Sequence, residues 1–148
     1  MVNWQQGETL ELEITDLSSQ GEGVGRWEGR VVFVPDTVPG DRIQVRLTFV
    51  KPTFGRAKVL KILESSTNRV RPACIVADKC GGCQWQAVDY PVQAKAKEQH
   101  VQDALKRIGG FQTVPIAPIL AAGQPLRYRN KVTYPLALST EGQVKAGY

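Results

Sequence analysis

The sequence predicts an all-β small barrel over residues 1–64, followed by an α+β region over residues 65–148. Three observations predict it. The first sixty residues carry short runs in which apolar and polar residues alternate, separated by Gly- and Pro-containing turns. A polar break, Ser65-Ser66-Thr67-Asn68, closes that pattern. Beyond it, all three cysteines of the chain crowd into RPACIVADKCGGCQWQ, ahead of one helical stretch and two strand-like ones.

Taken in order, Leu10, Leu12 and Ile14 alternate with Glu11, Glu13 and Thr15, the period of a half-buried strand. Gly21, Gly23 and Gly25 fall at every second position and are read as a bend or bulge. Val31–Val34 is a short strand stopped by Pro35, and Asp36-Thr37-Val38-Pro39-Gly40-Asp41 is turn chemistry. Ile43, Val45, Leu47 and Phe49 then alternate with Arg42, Gln44, Arg46 and Thr48, which puts all four apolar residues inside. A last barrel strand is expected over residues 56–63. Asp89-Tyr90-Pro91 opens a helix, with Pro91 tolerated in its first turn. Ala94, Val101, Leu105 and Ile108 share one face of it, and Gly109-Gly110 ends it. Residues 126–138 read as a strand, Ser139–Gln143 as a turn, and Val144 onward as the start of another strand.

Charge and composition narrow the function. The 148 residues carry a net charge of +5. Eight acids face only Arg26 and Arg30 up to Asp41, whereas Arg42, Arg46, Lys51, Arg56, Lys58 and Lys61 run to Leu63 with no acid at all. Such a basic stripe is the electrostatic footprint of polyanion binding; a solvated strand face that protects a sheet edge is the other reading. Phe54, between Lys51 and Arg56, is placed to stack on a base or to plug the barrel end. Arg127, Arg129 and Lys131 would line one face of the 126–138 strand as a phosphate track, or simply face solvent. No apolar run has the length of a membrane span, and the N-terminus lacks the basic head and apolar core of a signal peptide. A cytoplasmic, reducing setting is therefore expected, in which clustered cysteines act as ligands more readily than as disulfide partners.

Five residues separate Cys74 from Cys80, and Gly81-Gly82 separate Cys80 from Cys83. Three thiols so close in sequence can converge on one centre. That centre is an iron–sulfur cluster, or a structural zinc that recruits His100, the single histidine, as its fourth ligand; small buried cysteines without metal are the third reading. No acid pair or Ser/His/Asp set stands at a catalytic spacing. No convincing helix follows Gly21–Gly25, which excludes a dinucleotide loop there.

The barrel residues Leu10–Ile14, Gly21-Glu22-Gly23-Val24-Gly25-Arg26, Val31–Pro35 and Pro39-Gly40-Asp41 resemble a TRAM domain, a small OB-like RNA-binding barrel. The stretch Cys74 to Gln86 resembles the cluster motif of the RNA (uracil-5-)-methyltransferases, and Tyr128-Arg129-Asn130-Lys131 is similar to a segment that follows it in that family. The resemblance implies methylation of carbon 5 of a uridine in ribosomal or transfer RNA, with S-adenosylmethionine as donor. The base is flipped out for attack by a cysteine. It also implies a 4Fe–4S cluster held by four cysteines, with Cys74, Cys80 and Cys83 matching the first three. The fourth ligand, the cofactor-binding fold and the nucleophile come later in the family. The expectation is thus an N-terminal portion with a TRAM domain at 1–64 and an incomplete cluster-binding domain at 65–148. It would be inactive alone and would lack a C-terminal methyltransferase partner. The Val101, Leu105 and Ile108 face would then self-associate or disorder.

Overall fold

The computed structural model describes residues 4–147. Five strands form a closed barrel: β1 (Thr9–Leu17), β2 (Gly23–Trp27), β3 (Arg30–Val34), β4 (Arg42–Val50) and β5 (Phe54–Glu64), in the spatial order β1-β2-β3-β5-β4. All neighbours are antiparallel except β3 and β5. Closure leaves no sheet edge unpaired. The alternation read in β1 and β4 delivers the core: Leu10, Leu12, Ile14, Ile43, Val45 and Leu47 are buried together with Val32, Val34 and Ala57.

Two features depart from the alternation. Gly23 and Gly25 are not a bend but inward positions of β2, paired with Val34 and Val32 of β3. A Cβ on Gly23 would lie 2.0 Å from Thr37 Oγ1, and one on Gly25 would lie 2.5 Å from Leu12 Cδ1 and 2.7 Å from the Glu13 carbonyl. Their period of two is a strand period, with glycine demanded by close approach across a narrow barrel. Phe49, expected inside, is 42% exposed. The β4–β5 register slips between Leu47 and Phe49, so that one more residue is spent on β4 and the next side chain turns outward.

The polar break after β5 is docked rather than free. Ser66 is buried, and its hydroxyl donates to the Pro39 carbonyl at 2.6 Å. Fully buried Asp41 accepts from the Val38 amide at 2.8 Å, from the Ser66 amide at 2.9 Å and from both arms of the Arg69 guanidinium. Burial alone would raise the Asp41 carboxyl. The Arg69 hydrogen bond and the two amides outweigh it and hold the group below its usual range.

Helix α1 (Tyr90–Asp103) starts where the sequence places it: the Asp89 side chain caps the Tyr90 amide, and Pro91 sits in the first turn. A π-helical stretch, Ala104–Ile108, continues it up to Gly109. Its packed face differs from the expected one. Ala96 and Val92 join Leu17, Val38, Val88 and Trp85 in a second small core against the barrel end. Val101 and Ile108 are instead 52% and 87% exposed. The chain supplies apolar cover on the side that meets Leu17 and Val38, and that contact, not the apolar count of the face, orients the helix.

The expected strand at 126–138 contracts to β6 (Leu136–Leu138), which among the described residues is hydrogen-bonded only to β7 (Val144–Ala146). Arg127 adopts φ 59°, which breaks the extended track, and residues 126–135 are irregular. An isolated two-stranded hairpin offers no third strand on which a longer β6 could pair.

Candidate nucleic-acid interface

Outward residues of β3, β4 and β5 meet on one side of the barrel. Because Gly55 and Ala57 point inward, Phe54, Arg56 and Lys58 point outward. Phe54 is flanked by Phe33 on β3, edge-on with centroids 6.1 Å apart, and by Phe49 on β4 at 6.0 Å. Lys51 Nζ stands 5.7 Å from the Phe49 ring centre, in cation–π range. Arg56 lies in register with both Phe33 and Phe49 and forms an ion pair with Glu22 at 3.6 Å. One step along, Arg46 lies directly opposite Lys58. The result is three phenylalanines bordered by Lys51, Arg56, Arg46 and Lys58.

The structure therefore gathers five sequence-predicted residues, Arg46, Lys51, Phe54, Arg56 and Lys58, on one face. Arg42 stands at the far end of β4, opposite Glu64, and is ion-paired with it at 2.7 Å. Arg127, Arg129 and Lys131 do not form the expected one-sided track: the Arg129 guanidinium lies 5.9 Å from the ring of Tyr128, its immediate neighbour, which a strand would turn to the opposite face. Sequence reading missed Phe33 and Phe49. Phe33 was legible, since Val32 and Val34 claim the inward positions. Phe49 was not, because the bulge that exposes it breaks the period.

A second aromatic group braces the patch from beneath. Trp4 stacks on Trp27 with centroids 5.8 Å apart, and the Arg30 guanidinium lies 5.3 Å from the Trp4 ring. Trp4 Nε1 donates to the Lys51 carbonyl at 2.6 Å, and its ring fills the space beside Gly55. The N-terminal segment thereby holds the β4–β5 turn that carries Lys51.

The cysteine loop gives a different result. Cys74, Cys80 and Cys83 are free, with Cys74 and Cys83 exposed. Among the described residues no three His, Cys, Asp or Glu side chains are grouped as a metal site. As arranged, the loop does not fit a cluster or zinc. Thiols have no mutual attraction that would gather them, and coordination itself supplies that energy. His100, the fourth ligand of the zinc reading, is engaged elsewhere: its Nε2 lies 2.7 Å from the Leu17 carbonyl, and the ring packs against Trp85. That histidine ties α1 to β1.

Residues 3–60 match the TRAM domain family model. Over 145 residues the chain is 61% identical to an uncharacterized RNA methyltransferase of Synechocystis, covering 98% of this chain and 31% of that protein. It is 59% identical to another of Nostoc, covering 98% of this chain and 32% of that one. Over nearly its whole length the chain is similar to these RNA methyltransferases. Its matched part is the N-terminal part of those proteins, and it spans about a third of their length. Among solved structures it is 32% identical to the Pyrococcus abyssi tRNA (uracil-54, C5)-methyltransferase in complex with S-adenosyl-L-homocysteine, with 68% of this chain and 21% of that one covered and a TM-score of 0.41. No helix among the described residues is long and apolar enough to cross a membrane.

Proposed function

We propose that this chain is the RNA-holding region of an S-adenosylmethionine-dependent RNA (uracil-5-)-methyltransferase acting in the cytoplasm on ribosomal or transfer RNA. The observation that carries the RNA-holding part is the joining of Arg46, Lys51, Arg56 and Lys58 with exposed aromatic surface on one side of a TRAM barrel. Cations on a rigid sheet neutralise phosphates, and the sheet keeps them in fixed register. The uracil-5 assignment is supported by the sequence motif around the cysteines. Methyl transfer belongs, in this reading, to the part of the relatives' length that these 148 residues do not span.

The same motif supports a 4Fe–4S cluster that takes Cys74, Cys80 and Cys83 as three of its four thiolates, in a loop that would be redrawn on loading. Iron and sulfide analysis after anaerobic reconstitution tests this. A brown protein with iron and sulfide in matching amounts is expected; a colourless one that takes up zinc alone would return the loop to the zinc reading with a ligand other than His100.

Salt titration of RNA binding tests the main proposal. Affinity for RNA is expected to fall steeply with salt, and Arg46→Glu, Arg56→Glu and Lys58→Glu are each expected to weaken binding with little sequence preference. Unchanged binding in all three variants would sink the assignment of this face.

A further inference from the structure

Resting on the RNA-holding reading, we infer that the β3–β4–β5 face takes RNA as a single strand, with an unstacked base on Phe49 beside Phe54 and Phe33, and a phosphate between Arg46 and Lys58. Two independent features of the face lead there.

The first is the exposure of Phe49. A bulge turns this side chain out of the core position that the strand period assigns to it. Phe54 then buttresses it at a tilt and is itself packed edge-on by Phe33, and Lys51 approaches the Phe49 ring. A large apolar ring held in water by its own backbone is a platform for another flat ring. A nucleobase offers one only when it is out of a duplex stack, since paired bases cover one another's faces.

The second is the juxtaposition of Arg46 and Lys58. They face each other in register on adjacent strands, both exposed, and neither is in an ion pair among the described residues. Like charges directly opposite in a sheet are destabilising. Arg42 on the same strand is given Glu64, and Arg56 on the next is given Glu22. Arg46 and Lys58 have Thr9 and Gln44 as further strand neighbours, with Glu11 only diagonal to Arg46. An anion between the pair removes the repulsion and gains two charge-assisted contacts. Arg46 is three residues from Phe49, about 10 Å along the strand. The base platform and the phosphate site therefore lie within one short run of nucleotides.

The test compares a fluorescent oligouridylate with an RNA duplex of equal length on the full chain, by anisotropy at several salt concentrations. The single strand is expected to bind at least 10-fold more tightly than the duplex. Phe49→Leu, which keeps an apolar side chain but removes the ring, is expected to weaken single-strand binding about 10-fold while leaving the salt slope unchanged, and Phe49→Tyr to retain it. The double variant Arg46→Gln, Lys58→Gln is expected to reduce the slope of log affinity against log salt by about 0.7, the share of one phosphate on a single strand. Circular dichroism melts confirm that each variant is folded. Equal binding of duplex and single strand, or a silent Phe49→Leu, overturns the inference while RNA holding stands. Failure of the unaltered chain to bind either RNA at low salt overturns both.

Discussion

The barrel and the chain beyond Asp103 treat their apolar residues in opposite ways. In the barrel, Leu10, Ile14, Val32, Val34, Ile43 and Val45 are at most 2% exposed, each covered by the others. Beyond Asp103, Ile108, Leu120, Leu136, Leu138 and Val144 are between 68% and 98% exposed, and among the described residues β6 and β7 pair only with each other. Composition does not separate the two regions. Closure does: five strands that return on themselves make an inside, whereas two short strands have none. The first region is a self-sufficient unit. The second displays an apolar surface of the sort that other protein surfaces cover.

The sharpest way to break this comparison is at Asp41, where the barrel is latched to Arg69. Asp41→Ala strands a guanidinium and two amides, and is expected to cost about 3–5 kcal/mol in urea denaturation. The latch also sets a pH limit. The folded Asp41 carboxyl sits below its unfolded value. Its contribution is therefore fully present above the unfolded pKa and is lost as pH falls through the folded one. Acid titration of stability is expected to show a loss that begins below about pH 4 and is absent in the Ala variant. Glycines give the next largest contrast. Gly23→Ala must displace buried Thr37, whose hydroxyl donates to the Val34 carbonyl at 2.8 Å, and is expected to cost about 2–3 kcal/mol. Gly123→Ala meets nothing within 4 Å and is expected to stay within about 0.5 kcal/mol of the unaltered chain in the same assay. Smallest on stability, yet informative, is the pair Leu136→Ser, Leu138→Ser. It is expected to leave the barrel melt within about 0.5 kcal/mol of the unaltered chain. A barrel destabilised by this pair would show that the hairpin contributes to the core after all.

The barrel was largely legible because alternation is a local signal with a global consequence: inward Leu10, Leu12 and Ile14 require a closed sheet around them. The helix start was legible from Asp89 and Pro91 for the same reason, since caps act within one turn. The glycines of β2 were read as a bend because their requirement comes from Leu12 of β1 and from Thr37 in the loop between β3 and β4. The Arg127–Lys131 track was misread because alternation promises a strand only where a neighbour exists to pair with it. Of the interface, the cations and Phe54 were visible in sequence, but their company was not.

By itself the sequence determined which residues want burial, where strands and the helix begin, that the cations cluster after Asp41, and that three thiols lie within ten residues of one another. These are properties of spacing, carried by the chain's own periodicities. Tertiary structure alone decided that Phe49 faces water, that Arg46 confronts Lys58, that Asp41 grips Arg69 and that His100 serves Leu17. Each of these joins residues on different elements, and pairing register and the slips within it, rather than separation along the chain, determine which side chains meet.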